Sequence, residues 1–281
     1  MQLTDTIHLL QIDFEIPLRP EKRLPRFVNV LLVFGEKILL IDSGVKGSEE
    51  RIFSYIRSCG RAVSEIDTLI LSHSHPDHIG GAATIQEQTG CSILAHEAER
   101  AWIENIELQN TERPVPGFFT LTDRPVNVDG TLAGGAELSC GNAVTVKVIH
   151  SPGHSKGSLN LLFKEDGILF TADSIPLKND IPNYDNYTDL MQSLRAIGNT
   201  TGYRTLLTSW TPPVQDRETV DRLIAEGEEY LQKIDAAVKA CYTGKDAPGM
   251  DACACTIDRL GLPPFLVNPI VDKAFRSHFT G

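Results

Sequence analysis

Four side chains able to hold a metal ion fall within six residues: His73, His75, Asp77 and His78 in the run SHSHPDHIGG. Imidazole nitrogen and carboxylate oxygen are ligands that zinc, iron and manganese accept. So dense a set is costly to bury unless something binds it. A second cluster, IHSPGHSKGS at 149–158, offers His150 and His154, and a third, LFTADS at 169–174, offers Asp173. A lone histidine in the second cluster would more often be structural, and Asp173 alone could equally serve as a helix cap or turn residue. A site already holding two histidines, however, needs a third. The chemistry to expect is hydrolysis. Three neutral imidazoles leave an open position on a metal, where bound water loses a proton at a pKa of about 7. Asp77 is the candidate proton acceptor. The expected cofactor is one or two Zn2+ ions, with iron or manganese as alternatives.

The elements that must position these groups are short apolar runs rich in branched residues. They are Phe27–Phe34, Ile38–Asp42, Thr68–Ser72, Ser92–Ala95, Val144–Ile149, Leu159–Phe163, Ile168–Thr171 and Thr205–Ser209, and each ligand cluster stands at the end of one. Residues two apart in extended chain point the same way, so His73 and His75 can aim at one place. Pro76 and the Gly80, Gly81 pair then force a turn that re-aims Asp77 and His78. Helical patterns at Glu49–Ser58, Ala82–Gln88 and Leu190–Ile197 interleave with the strands, which predicts an α/β fold. Residues 105–140 have weak periodicity and read as a lid, a binding loop or hidden short strands. Beyond Pro213 the strands stop, and a long amphipathic helix over Gln215–Ala240 precedes a short one near Val271–His278. The division expected is a catalytic domain over 1–214 and a helical C-terminal extension over 215–281.

Taken together, Ile41, Asp42, Ser43 and Gly44, the HSHPDH signature, Ser151 through Ser158, and Thr171, Ala172 and Asp173 resemble the metallo-β-lactamase-fold hydrolase superfamily, in its glyoxalase-II-like and lactonase-like branch. The resemblance covers roughly residues 25–215. It implies a four-layer αββα sandwich with metals at one edge of the sheets. It further implies that His73, His75 and His154 hold a first metal, that Asp77 and His78 hold a second, and that Asp173 bridges both. Asp42 and His150 would orient ligands without binding the metal. The last histidine of the family's pattern is replaced here by Trp210, whose indole is a donor only and cannot ligate. His96 and His278 are remote substitutes.

Three functions follow as expectations. The first is a metal-dependent hydrolase of a small ester, thioester or lactone-like substrate. The second is a mononuclear iron oxidoreductase resembling persulfide dioxygenases, with His73, His154 and Asp173 as ligands. The third is a metal-binding protein without turnover. No serine elbow and no phosphate-binding loop is present. Acids outnumber bases 37 to 26, a net charge of −11, which disfavours nucleic-acid binding. No stretch approaches the roughly 18 apolar residues of a membrane span. No leader peptide is evident and the 6 cysteines are sparse, so the expectation is a cytoplasmic protein acting on a small molecule, possible homodimer included. Cys59, Cys91 and Cys140 read as structural, and Cys241, Cys253 and Cys255 as ordinary, partly buried thiols. Trp102, Phe118, Phe119, Tyr184 and Tyr187 flank the ligand loops and could line a pocket or merely pack, while Lys156 and the Glu226, Glu228, Glu229 stripe read as solvated.

Overall fold

Two sheets form from the runs of Ile, Val and Leu. In the computed structural model, which describes residues 1–19, 22–122, 124–139, 141, 144–243 and 250–280, the first sheet has the order β1–β2–β3–β4–β5–β6 and the second β11–β10–β9–β8–β7. The strands of the first are β1 (Ile7–Arg19), β2 (Lys22–Phe34), β3 (Ile38–Ile41), β4 (Ile66–Ile70), β5 (Ser92–Ala95) and β6 (Gly130–Thr131). Those of the second are β7 (Glu137–Ser139), β8 (Thr145–His150), β9 (Leu159–Phe163), β10 (Ile168–Phe170) and β11 (Thr205–Leu207). Strands β3 to β6 pair in parallel, as do β10 and β11, and the other neighbours are antiparallel.

Side-chain alternation divides the core into three. Leu31 and Val33 of β2, Leu39 and Ile41 of β3, and Ile70 of β4 face Val146, Val148, Leu161 and Phe170 of the second sheet. The intervening Val30, Leu32, Leu40 and Leu69 face helices α1 (Ser48–Ser58) and α3 (Ala82–Thr89) on the outer side. Strands buried on both faces lose the polar alternation of a surface strand, which is why they read as unbroken apolar runs. On the far side of the second sheet, Leu162, Leu169 and Leu206 meet α7 (Tyr187–Asn199) and α8 (Arg217–Cys241). The layers are therefore α, β, β, α. Helix α8, α9 (Asp251–Leu260) and α10 (Pro269–Arg276) share one buried cluster with that sheet face.

Strand β1 has no counterpart in the sequence reading. Its exposed Gln11, Asp13 and Glu15 alternate with Leu10, Ile12 and Phe14, so it is a half-buried edge strand without an apolar run. The 105–140 stretch holds α5 (Ile106–Glu112), α6 (Phe118–Leu121), β6 and β7, so the hidden short strands are present. Cys241 and Cys255 are joined in a disulfide, contrary to the reading as free thiols. The packing of α8 on α9 brings their Cα atoms to 5.9 Å, within bridging range, although the two lie 14 residues apart in a CxC-containing tail with no evident framework. Cys140 lies outside the described residues.

Candidate metal centre

Every ligand-bearing segment leaves the end of a strand. β4 runs out at Ile70, the chain bends at Ser72 and His73, and Pro76 opens the one-turn helix α2 (Pro76–Ile79) with His75, extended, at its N-cap. The loop after β8 carries His154, and the residue after β10 carries the chain to Asp173. Four of the side chains converge: one ligand atom from each of His73, His75, His154 and Asp173 lies within 4.8 Å of the others. His75 Nδ1 is 2.9 Å from His73 Nε2 and 2.8 Å from His154 Nε2. Asp173 Oδ2 is 3.3 Å from His154 Nε2 and 3.9 Å from His73 Nε2. A single ring proton cannot satisfy three facing nitrogens, whereas a cation among them would. Beside this group, His78 Nε2 stands 3.3 Å from Asp173 Oδ1 and 3.6 Å from Asp77 Oδ2. Asp173 Oδ1 and His78 Nε2 are buried and have no hydrogen-bond partner among the described residues. Three imidazoles, a carboxylate and two orphaned polar atoms fit a divalent metal.

Close backbone packing sets this geometry. Asp42, at the end of β3, adopts a left-handed φ of 60°, which costs free energy and here turns its carboxylate inward. That carboxylate accepts from Ser72 N at 2.7 Å, Ser72 Oγ at 2.8 Å and His78 Nδ1 at 2.8 Å. It thereby fixes which ring nitrogen of His78 faces the centre. Ala172, at φ 44°, makes the equivalent bend ahead of Asp173. Gly153 has φ 127° and admits no Cβ, which would meet Leu190 N at 2.2 Å.

Burial lowers the pKa of His73 and His75 well below the ordinary histidine value, and it lowers that of His154 to about 4. The three are neutral near pH 7, the form that ligates. Burial also opposes charge on His78, but Asp173, Asp42 and Asp77 overcome it and hold its pKa well above the ordinary value. Burial raises the pKa of Asp77. For Asp173 burial acts the same way, yet His78 and His154 outweigh it and keep its carboxyl well below the usual range.

The family model of the metallo-beta-lactamase superfamily matches residues 23–219. The chain belongs to the metallo-beta-lactamase superfamily. It is 28% identical over 142 residues to a probable metallo-hydrolase of Bacillus subtilis, covering 50% of this chain and 63% of that protein. It is 30% identical over 110 residues to a hydroxyacylglutathione hydrolase of Brucella ovis, covering 39% of this chain and 34% of that one. The matched stretch thus spans less than two thirds of either relative. A metallo-beta-lactamase family protein from Thermus thermophilus superposes over 97% of this chain and 93% of its own, with a TM-score of 0.72 at 19% identity. A beta-lactamase from Chitinophaga pinensis superposes over 73% and 87%, with a TM-score of 0.62 at 21% identity. These likenesses are of fold.

Other candidates fall outside the superfamily centre. His150 touches none of the clustered side chains. It is exposed, its Nε2 lies 3.0 Å from Lys156 O, and its ring stacks on His96 with centroids 4.2 Å apart. It braces the His154 loop through Lys156 O and makes no hydrogen bond to a clustered ligand among the described residues. His278 is buried 2.9 Å from Asp235 Oδ1 and 2.8 Å from Tyr184 Oη, inside the helical tail. Trp210 forms one wall of a pocket that His75, Asp77, His154 and Asp173 also line. The guanidinium of Arg26 lies 5.6 Å from its ring centroid. Of the aromatic residues flagged in sequence, Tyr184 lines this pocket, while Phe118 is buried in the core, Trp102 bonds to Glu112, and Tyr187 stacks on His278.

Three functional residues escaped the sequence reading. Glu99 is 2% exposed and ties the two ligand loops together. Its Oε2 accepts from Ser74 N at 3.0 Å and from Ser74 Oγ, and its Oε1 from Ser155 Oγ at 2.8 Å and Gly157 N at 2.5 Å. Gln109 Nε2 donates to Ser74 O at 2.6 Å. Arg113, at the end of α5, is buried and lines the pocket. Each is a single polar residue in a stretch that reads as surface, and only the tertiary fold encloses it.

Proposed function

We propose that the chain is a metal-dependent hydrolase of a small ester, thioester or lactone-like substrate. The observation that carries this reading is the convergence of His73, His75, His154 and Asp173 within 4.8 Å, three of them (His75, His154 and Asp173) lining a pocket. When bound, a divalent cation supplies Lewis acidity toward water and an acyl oxygen. His73, His75 and His154 would hold it, with Asp173 shared toward a second position flanked by Asp77 and His78. Asp77 is placed to take the proton of the attacking water, since it faces the pocket. Asp42 keeps His78 in one tautomer through its bond to Nδ1. Phe14, Val115, Leu121 and Trp210 supply an apolar wall that limits competing water. The names of the hydrolase relatives agree with this reaction class.

Elemental analysis of the purified protein, followed by a panel of phenyl esters, thioesters and lactones, tests the proposal. The expected result is one or two equivalents of zinc or manganese and turnover of at least one acyl class. Both should be lost in a His75→Ala, His154→Ala variant. Unchanged metal content in that variant overturns the ligand assignment. One equivalent of iron with oxygen uptake on thiol persulfides would favour the oxidoreductase instead.

A further inference from the structure

Arg113 presents a charge problem. The side chain is 3% exposed, and a buried guanidinium is costly unless paired. Among the described residues no carboxylate lies within 4.0 Å of it. Among the described residues its side chain makes one hydrogen bond, from Nη2 to Asn183 Oδ1, and its buried Nε has no partner. The acids around it are engaged elsewhere. Of the four carboxylates whose charge acts on it, Asp185 faces Lys273 Nζ at 3.8 Å, Glu99 accepts from Ser74, Ser155 and Gly157, and Asp77 and Asp173 face His78 Nε2 at 3.6 and 3.3 Å. Arg113 nevertheless lines the same pocket as His75, His154 and Asp173. It makes no hydrogen bond to any of them. An anion that it receives therefore sits beside the reacting carbonyl's position and not on it.

We propose that Arg113 is the docking group for a carboxylate carried by the substrate, which makes the preferred substrate the ester or thioester of a short dicarboxylic acid. The assignment rests on the hydrolase reading for the reaction, while the anion site itself is independent of turnover. A planar guanidinium offers several N–H donors in a fixed fork, of which Asn183 occupies one, and a carboxylate matches that fork. The apolar wall of Phe14, Val115 and Leu121 accommodates the methylene spacer between the two ends.

The test is isothermal titration of the zinc-loaded protein with glutarate and with butyrate. Both offer one carboxylate to the metal, and only glutarate has a second. The native protein should bind glutarate at least about tenfold tighter than butyrate, and Arg113→Met should bring that ratio close to one while leaving butyrate affinity within about twofold. Arg113→Lys, which keeps charge without the fork, should fall between. A native ratio near one, or a ratio preserved in Arg113→Met, overturns the assignment. If Arg113→Met does not fold, the native ratio and its decrease in Arg113→Lys decide, and a ratio unchanged in Arg113→Lys counts against the fork. Turnover of phenyl butyrate against its glutarate counterpart separates the two claims. No turnover of either, with glutarate still bound tightly, sinks the hydrolase reading and leaves the anion site intact.

Discussion

Glu99→Gln is the perturbation that most directly tests how the centre is held. Glutamine keeps the shape of the side chain and replaces one carboxylate oxygen with an NH2 group. In the native protein Oε2 accepts from Ser74 N and Ser74 Oγ, and Oε1 from Ser155 Oγ and Gly157 N. The serine hydroxyls can rotate and accept from the new NH2 group, but a backbone N–H cannot. Whichever way the amide lies, one buried N–H, of Ser74 or of Gly157, loses its partner. Such an orphan costs about 1–3 kcal/mol, and the bonds that remain are weaker without the charge. A total of about 3 kcal/mol is expected. For a chain of this size that lowers Tm by roughly 5–10 °C. Because Ser74 lies between His73 and His75 while Ser155 adjoins His154, the loosened clamp should also weaken zinc binding, by about 10–100-fold. Thermal melting of the metal-free protein and competition with a chromophoric chelator read the two effects. A folded variant with native zinc affinity would refute the clamp, and an unchanged Tm would refute the hydrogen-bond arithmetic.

Stability should also depend on pH in a definite direction. His154 titrates at about 4 in the folded chain against an ordinary 6.5, so the unfolded chain binds the proton more readily. Its contribution is complete above about 6.5 and is lost as pH falls from there toward 4, amounting to about 3 kcal/mol. His73 and His75 act in the same sense, and His78 acts in the opposite one. Urea unfolding of the metal-free protein across that range should show the decline, and a flat profile would contradict the neutral-imidazole assignment. Cys241→Ser should cost about 3 kcal/mol by releasing the tether between α8 and α9. A Tm that does not respond to the substitution or to reductant would show that the tether adds nothing. Gly153→Ala places a methyl group 2.2 Å from Leu190 N at a φ of 127°, and a loss of about 3 kcal/mol or more is expected by thermal melting. Native-like melting would show that the His154 loop can shift.

The composition of short segments determined much of this protein by itself. Val28, Val30, Leu31, Leu32 and Val33 read as a strand buried on both faces, which with the interleaved helical patterns implies an α/β fold, while the stacking of two sheets is implied only by the family resemblance. The ligand types were equally legible, because His73, His75, Asp77 and His78 stand so close in sequence that local geometry groups them. Apolar runs, the signal of the other strands, are absent from β1, which is marked instead by the alternation of Leu10, Ile12 and Phe14 with Gln11, Asp13 and Glu15, and no local pattern marks the pairing of Cys241 with Cys255, which depends on how two helices pack. Tertiary structure decided that His150 meets Lys156 O while Asp42 reaches across to His78, and that Trp210 became a pocket wall. It also enclosed Glu99 and Arg113, two charges on stretches that resemble exposed surface. The physical reason is range. Hydrophobic periodicity and turn chemistry act within a few residues and leave a mark there, whereas a buried charge draws its energy from partners that only the folded chain assembles.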